Sequence, residues 1–128
     1  MNTRTHTPAR TTRRRDRGQV AIEYMGFIPL LLLVGLLAIQ MGVAAYAANQ
    51  AGTGARAGAR LSSMSASGSD CAGAGRDAMS DWTANRARFR AKPSFDEVTC
   101  TVRVKVPRII PGVDIWGWAE RSSTMPRT

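Results

Sequence analysis

The stretch GQVAIEYMGFIPLLLLVGLLAI, residues 18–39, decides the fold because nearly every side chain in it is apolar. The run continues to Ala48, and residues 24–55 contain no charged side chain. About 20 apolar residues in a helix suffice to cross the hydrocarbon core of a bilayer. The sequence therefore predicts a transmembrane helix over residues 19–60 that protrudes beyond the membrane.

A basic leader, residues 1–18, precedes this helix. It holds six arginines and one aspartate, so +5 of the net charge of +9 lies here. Lysine and arginine beside a membrane span are retained on the cytoplasmic side. We therefore predict a single-pass protein of the cell membrane, with a cytoplasmic N-terminus and an extracytoplasmic C-terminus. The same clustering makes the charge a topology signal and argues against nucleic acid as a partner.

Other kinds of membrane segment also fit the apolar run. A secretory signal peptide cleaved after Ala47 would release a protein of about 81 residues, although the run is long for that role. A twin-arginine signal at residues 13–15 would need apolar residues directly after it, and polar ones follow. An unprocessed single-pass anchor with a small extracytoplasmic partner-binding domain stays open as the main alternative.

Glu23 is the single carboxylate between Asp16 and Asp70, and it stands where the apolar run begins. A charged group pulled to the bilayer centre costs about 2–3 kcal/mol, so such a residue is expected to have a partner or a function. A simpler explanation is that the helix dipole stabilises a carboxylate near the helix N-terminus.

The junction resembles the class III signal of type IV prepilins, in which a dedicated peptidase cuts after a glycine and a glutamate becomes the fifth residue of the mature chain. The resemblance implies a cut between Gly18 and Gln19, with Glu23 at position five. The new α-amino group at Gln19 would give the carboxylate of a neighbouring subunit a partner inside an apolar bundle. Gln19 departs from the methylated phenylalanine of many pilins.

A narrower resemblance is to the TadE-like proteins, minor pseudopilins of the tight-adherence (Flp) pilus. In that family a glutamate–aromatic pair, here Glu23 and Tyr24, is followed by an apolar stretch with a proline six residues after the glutamate, here Pro29. The alanine- and arginine-rich helix exit at residues 55–60 is also similar. The glutamate–tyrosine pair marks the major Flp pilin too, but the long region after the helix favours a pseudopilin.

The resemblance implies several partners for the chain. These are other pilins and pseudopilins, a prepilin peptidase, an inner-membrane pilus assembly platform and membrane lipid. Function would then be structural, through packing of the N-terminal helix.

Proline and glycine inside the helix have two readings each. Pro29 leaves the carbonyl of Met25 without its helical donor and predicts a kink, either ordinary or one that lets the helix bend on leaving the membrane. Gly35 and Gly42 lie on a possible close-packing face, or are simply frequent residues in this sequence. The Gly54-x-x-x-Gly58 pair at the exit is given no weight.

The remaining residues predict a Ser/Gly-rich linker over 61–70 and a small extracytoplasmic α+β region over 71–128. Met79, Trp82, Arg86 and Phe89 recur at spacings of three, four and three and predict an amphipathic helix over residues 75–90. Strict alternation over 98–106 predicts a strand with one buried face of valines, and residues 113–121 are expected to return as its antiparallel partner. The fold class is thus α+β.

Two aromatic residues near the end of the chain, Trp116 and Trp118, would face the same side of that returning strand. Burial against the helix is the expected fate of such residues. Contact with a partner subunit or with the membrane interface is the alternative.

The chain has two cysteines, Cys71 and Cys100. A disulfide between them would close a loop of about 30 residues and contribute roughly 3–4 kcal/mol; two free buried thiols are the alternative. The single histidine, His6, lies in the leader. With no catalytic triad, metal-ligand cluster or phosphate loop in the sequence, we predict no enzyme, no metal and no cofactor.

Overall fold

A computed structural model of the chain describes residues 3, 13–112 and 117–127, with side chains described at residue 3 and from residue 18 onward. It contains one long helix, two short helices and a three-stranded antiparallel sheet, which confirms the α+β class. The chain divides into two units, residues 1–35 and 36–128.

The long helix, α1, extends from Arg13 to Met64. It therefore begins inside the predicted leader and takes in the first four residues of the predicted linker. Ser63 is one reason why the helix continues into the predicted linker. Its hydroxyl donates a hydrogen bond of 2.7 Å to the carbonyl of Arg60, so its polar group has a partner within the helix. The chain then turns at Gly68, which has a positive φ of 61° that glycine adopts without strain.

In the first unit, the side chains of residues 18–35 are all exposed. Helix α1 runs through Pro29, which supplies no N–H for the carbonyl one turn earlier. The segment Gly18–Met64 is long and apolar enough to cross a membrane, and none of its most apolar 18 residues is buried. An apolar helix surface of this extent needs lipid or another protein to cover it.

In the second unit, the later part of α1 covers a sheet. Four alanines at a spacing of four residues are 0–1% exposed and form one face of the core: Ala47, Ala51, Ala55 and Ala59. Residues at this spacing lie on one side of a helix, and alanine lets the backbone come close to the sheet. This face packs against the buried face of the central strand.

The sheet has the order β1-β2-β3, with strands at Ala87–Pro93, Glu97–Lys105 and Trp118–Pro126. The alternation predicted for the central strand is confirmed. Val98, Val102 and Val104 are fully buried, and the residues between them are more exposed. The returning strand pairs antiparallel with β2 as expected, but it ends later than predicted; residues 113–116 lie outside the described residues.

The helix predicted over residues 75–90 is wrong in its second half. Helix α2 covers Cys71–Asp77, helix α3 covers Asp81–Ala84, and the chain then forms strand β1. Along β1 the burial alternates, because its alanines and Phe89 face the core while its basic residues face solvent. The same residues fit both a helical spacing and a strand alternation in the sequence. Pairing with β2 selects the strand.

Candidate functional site

The predicted processing junction lies within helix α1. Gly18 and Gln19 are both exposed, and a side chain added at Gly18 would meet no atom within 4 Å. Packing in this chain therefore does not demand a glycine at position 18. A peptidase that binds an extended substrate would have to open the helix here, and glycine lowers the cost of opening by about 1 kcal/mol relative to alanine.

Glu23 is exposed on the first unit of the helix. Among the residues whose side chains the structure describes, none forms a hydrogen bond or an ion pair with its carboxylate. Val20, Tyr24 and Phe27 share its face and line with it a shallow hollow of about 340 Å³. The arrangement is an apolar surface with one acidic group at its centre. It is suited to a partner whose positively charged group is flanked by apolar side chains.

In the second unit, two glycines allow the closest contacts of α1. A Cβ atom at Gly58 would lie 2.6 Å from the Sγ of Cys100 and 2.7 Å from the carbonyl oxygen of Cys71. One at Gly54 would lie 2.5 Å from the Sδ of Met79. Neither position tolerates a side chain without movement of its neighbours. The Gly54-x-x-x-Gly58 pair, given no weight from the sequence, is thus a packing motif of the fold.

Cys71 and Cys100 form a disulfide with a Cα–Cα distance of 5.7 Å. Both are at most 1% exposed. The bridge joins the first residue of α2 to the central strand directly beneath Gly58. The bridge therefore cross-links the small domain, residues 71–112 and 117–127, at a point where it packs tightly against the helix.

Gln40 attaches the loop after β2 to the helix. Its side-chain amide donates to the carbonyl of Pro107 at 3.2 Å, and its carbonyl accepts from the backbone N–H of Ile109 at 3.0 Å. One turn and a half further on, the hydroxyl of Tyr46 lies 3.2 Å from that of Ser80, at the start of α3. The end of the small domain that carries this loop and α3 is therefore fixed beside residues 40–46 of the helix.

Trp118 lies on the solvent face of the sheet, where the guanidinium groups of Arg88 and Arg103 approach its ring at 5.5 and 5.2 Å. It is 40% exposed, so the expectation of burial against the helix is wrong for this residue. The reason is register, since Trp118 pairs with Lys105, whose side chain belongs to the polar face. Trp116 lies outside the described residues.

Within the described part of the chain, no group of histidine, cysteine, aspartate or glutamate side chains is arranged to hold a metal ion. The sequence-predicted residues form two separate sets, one at the start of α1 and one at the disulfide. Gln40, Gly54 and Gly58 were missed as contact residues. The signal for Gln40 was its place as the first polar side chain after the twenty residues from Val20 to Ile39.

A helix long and apolar enough to cross a bilayer, joined to a small disulfide-bonded α+β domain, defines a single-pass, membrane-anchored protein. Residues 18–60, about a third of the chain, match the model of the TadE-like protein family, so this segment is similar to that family. No curated protein and no solved structure gives a significant match to the chain.

Proposed function

We propose that the chain is a minor pseudopilin, an assembly component of a tight-adherence pilus. The observation that carries the proposal is the TadE-like match, which starts at Gly18 and takes in Glu23, Tyr24 and Pro29. The match supports a part in pilus assembly. The narrower role rests on the chemistry of the helix and on the size of the domain that follows it.

The bare helix surface supports a packing role. Large apolar side chains between residues 20 and 39 are 38–79% exposed. Lipid covers such a surface in the membrane, and the helices of other pilins would cover it in an assembled filament. The same surface thus serves both environments without a change of sequence.

Glu23 gives that packing a fixed register. In an apolar bundle a lone carboxylate is costly unless a cation neutralises it. The α-amino group created by cleavage before Gln19 is such a cation, and it would pair with Glu23 of a neighbouring subunit. Processing and pairing are therefore parts of one proposed mechanism.

The C-terminal domain would lie outside the cytoplasm and contact other pilins or the assembly platform. Its disulfide supports this placement, because such bonds persist in oxidising compartments and are rare in the cytoplasm. The leader would remain on the cytoplasmic side, where its arginines hold the junction within reach of the peptidase.

The mature N-terminus tests the proposal. The full chain is produced in cells with and without their prepilin peptidase, and the intact mass is measured after membrane extraction. We expect a chain that begins at Gln19 when the peptidase is present and at Met1 when it is absent. Gly18→Val is expected to block cleavage, and Gly26→Val is the matched control because both glycines have open space around them.

The rival function is an unprocessed anchor whose small domain binds an envelope partner. It is favoured by one observation, the continuity of α1 across Gly18 from Arg13. A start at Met1 in both strains would support this rival and contradict the pseudopilin proposal. A start at Ala48 would contradict both and indicate a secreted protein.

A further inference from the structure

A hollow on the solvent face of the small domain is lined by three basic residues. The hollow has a volume of about 250 Å³ and is lined by Asn85, Arg86, Ala87, Arg88, Lys105 and Trp118. Among the described residues, no carboxylate lines the hollow and no acidic group pairs with Arg86, Arg88 or Lys105. An ion pair on the same face joins Arg103 to Glu120 at 3.0 Å. The hollow is therefore suited to an anion.

The position of the hollow along the chain indicates that its anion would be bound close to the membrane surface. Lys105 stands two residues before Pro107, whose carbonyl accepts a hydrogen bond from Gln40. Two strand residues span about 7 Å, so the hollow lies close to the level of Gln40. The residues from Val20 to Ile39 are the length that crosses a bilayer core, so Gln40 marks the exit of the helix from the hydrocarbon.

Aromatic residues at the end of the small domain near Gln40 also support a position of the hollow close to the membrane surface. Tyr46 lies about 9 Å beyond Gln40 along the helix axis, and its ring centre is 6.3 Å from that of Trp82 in α3. Trp82 and Trp118 are 43% and 40% exposed, each beside arginine. Tryptophan and tyrosine concentrate at the membrane–water interface, where their rings meet the headgroups.

We propose that this hollow binds the phosphate headgroup of an anionic phospholipid in the leaflet from which the helix emerges. Arg86, Arg88 and Lys105 neutralise the phosphate, and Trp118 lies against the glycerol region. Lipid is the occupant that the position favours, because the membrane is already beside the site and no soluble anion has to be recruited. The proposal rests on the membrane-spanning helix of the proposed function, but not on its processing.

The test uses the full chain in lipid nanodiscs and the fluorescence of its tryptophans. All three tryptophans follow residue 80, so the signal reports on the small domain and not on the span. Brominated phosphatidylglycerol and brominated phosphatidylcholine are compared as quenchers at equal mole fraction. We expect phosphatidylglycerol to be preferred at least threefold, whereas equal quenching by the two lipids would overturn the proposal.

Two matched variants separate the hollow from general positive charge. Arg88→Gln with Lys105→Gln is expected to reduce the preference to about one. Arg90→Gln with Lys92→Gln removes the same charge from the same face but farther along β1, and is expected to leave the preference unchanged. An equal loss in both variants would show diffuse attraction and contradict a defined site. Arg88→Lys with Lys105→Arg retains the charge and should retain the preference, which controls for loss of folding.

Inorganic phosphate distinguishes a lipid headgroup from a free anion. Sodium phosphate at millimolar concentration, compared with sodium chloride at equal ionic strength, should not change the lipid preference. Abolition of the preference by phosphate alone would assign the hollow to a soluble anion and overturn the lipid assignment. Quenching by neither lipid would place the tryptophans away from both lipids and would also overturn the proposal. Incorporation of the chain into the nanodisc, measured by size-exclusion chromatography, separates this outcome from failure of the helix to enter the bilayer, which would be a failure of the proposed function.

Discussion

Helix α1 contains two stretches that differ in both side-chain size and exposure. Residues 20–39 are rich in leucine, isoleucine and other large apolar residues, and these are 38–79% exposed. Residues 47–59 are rich in alanine and glycine, and the alanines at intervals of four are almost completely buried. Among the described residues, the first stretch is exposed along its length, whereas the second packs against the chain's own domain.

The difference shows how one helix can serve two kinds of contact. Large side chains suit lipid and other helices, because they offer surface without requiring one fixed geometry. Small side chains suit a permanent contact, because they allow a sheet and a short helix to approach the backbone and fix it. The chain thus keeps its own domain on the small-residue stretch and leaves the large-residue stretch for other molecules.

Added bulk at Gly58 is expected to have the largest effect on the packed stretch, residues 47–59, because it disrupts the contact between this part of the helix and the small domain. Gly58→Leu would drive a side chain into the disulfide and the backbone of Cys71, and we expect a loss of at least about 4 kcal/mol in the free energy of unfolding. Thermal unfolding of the full chain in detergent, followed by tryptophan fluorescence, measures it. Gly42→Leu is the control, since it adds the same bulk where no atom lies within 4 Å. Equal melting temperatures in the two variants would contradict the close contact.

Loss of the disulfide is expected to have the next largest effect, on the stability of the small domain that packs against residues 47–59. Its loop of about 30 residues predicts a loss of roughly 3–4 kcal/mol on reduction. We expect a lower melting temperature of the small domain in the presence of a reductant, and the same decrease in Cys71→Ser with Cys100→Ser. A double variant that melts like the oxidised protein would show that helix and sheet packing alone holds the domain.

For the exposed stretch, the sharpest test is Glu23→Gln, which retains the shape and removes the charge. Loss of the proposed pair is expected to cost about 2–3 kcal/mol per subunit contact and to reduce incorporation into the pilus at least tenfold. Membrane insertion and thermal stability of the small domain should be unchanged. Glu23→Asp, which retains the charge at the same position, is the control. Normal incorporation of the Glu23→Gln protein would refute the pairing role.

Local patterns predicted much of this fold. The apolar helix and strand β2 can be recognised from a few neighbouring residues, because each element buries or exposes a whole face at a fixed period. Strand β1 was missed because Phe89 fits both a helical spacing with Trp82 and a strand alternation with Ala87. Only pairing with β2, which is distant in sequence, selects the strand.

Contacts between distant residues could not be predicted from these patterns. The glycines at 54 and 58 gain meaning only from the sulfur atoms and backbone placed against them. Gln40 and Pro107 are 67 residues apart, and nothing at either position indicates the other. The role of Glu23 is a similar case, because the partner proposed for it belongs to another chain.

Gln40 lies between the two stretches in sequence, and its substitution gives the smallest of the expected effects. Gln40→Ala removes two hydrogen bonds to the loop after β2, each worth about 1 kcal/mol. We expect the amide of Ile109 to exchange with solvent roughly ten- to thirtyfold faster, while the melting temperature of the domain changes little. Asn49→Ala, on an exposed position of the same helix, should leave that exchange rate unchanged. If Ile109 remained protected in the Gln40 variant, the loop would be held by the sheet alone, and the level of the basic hollow relative to the membrane would lose its main support.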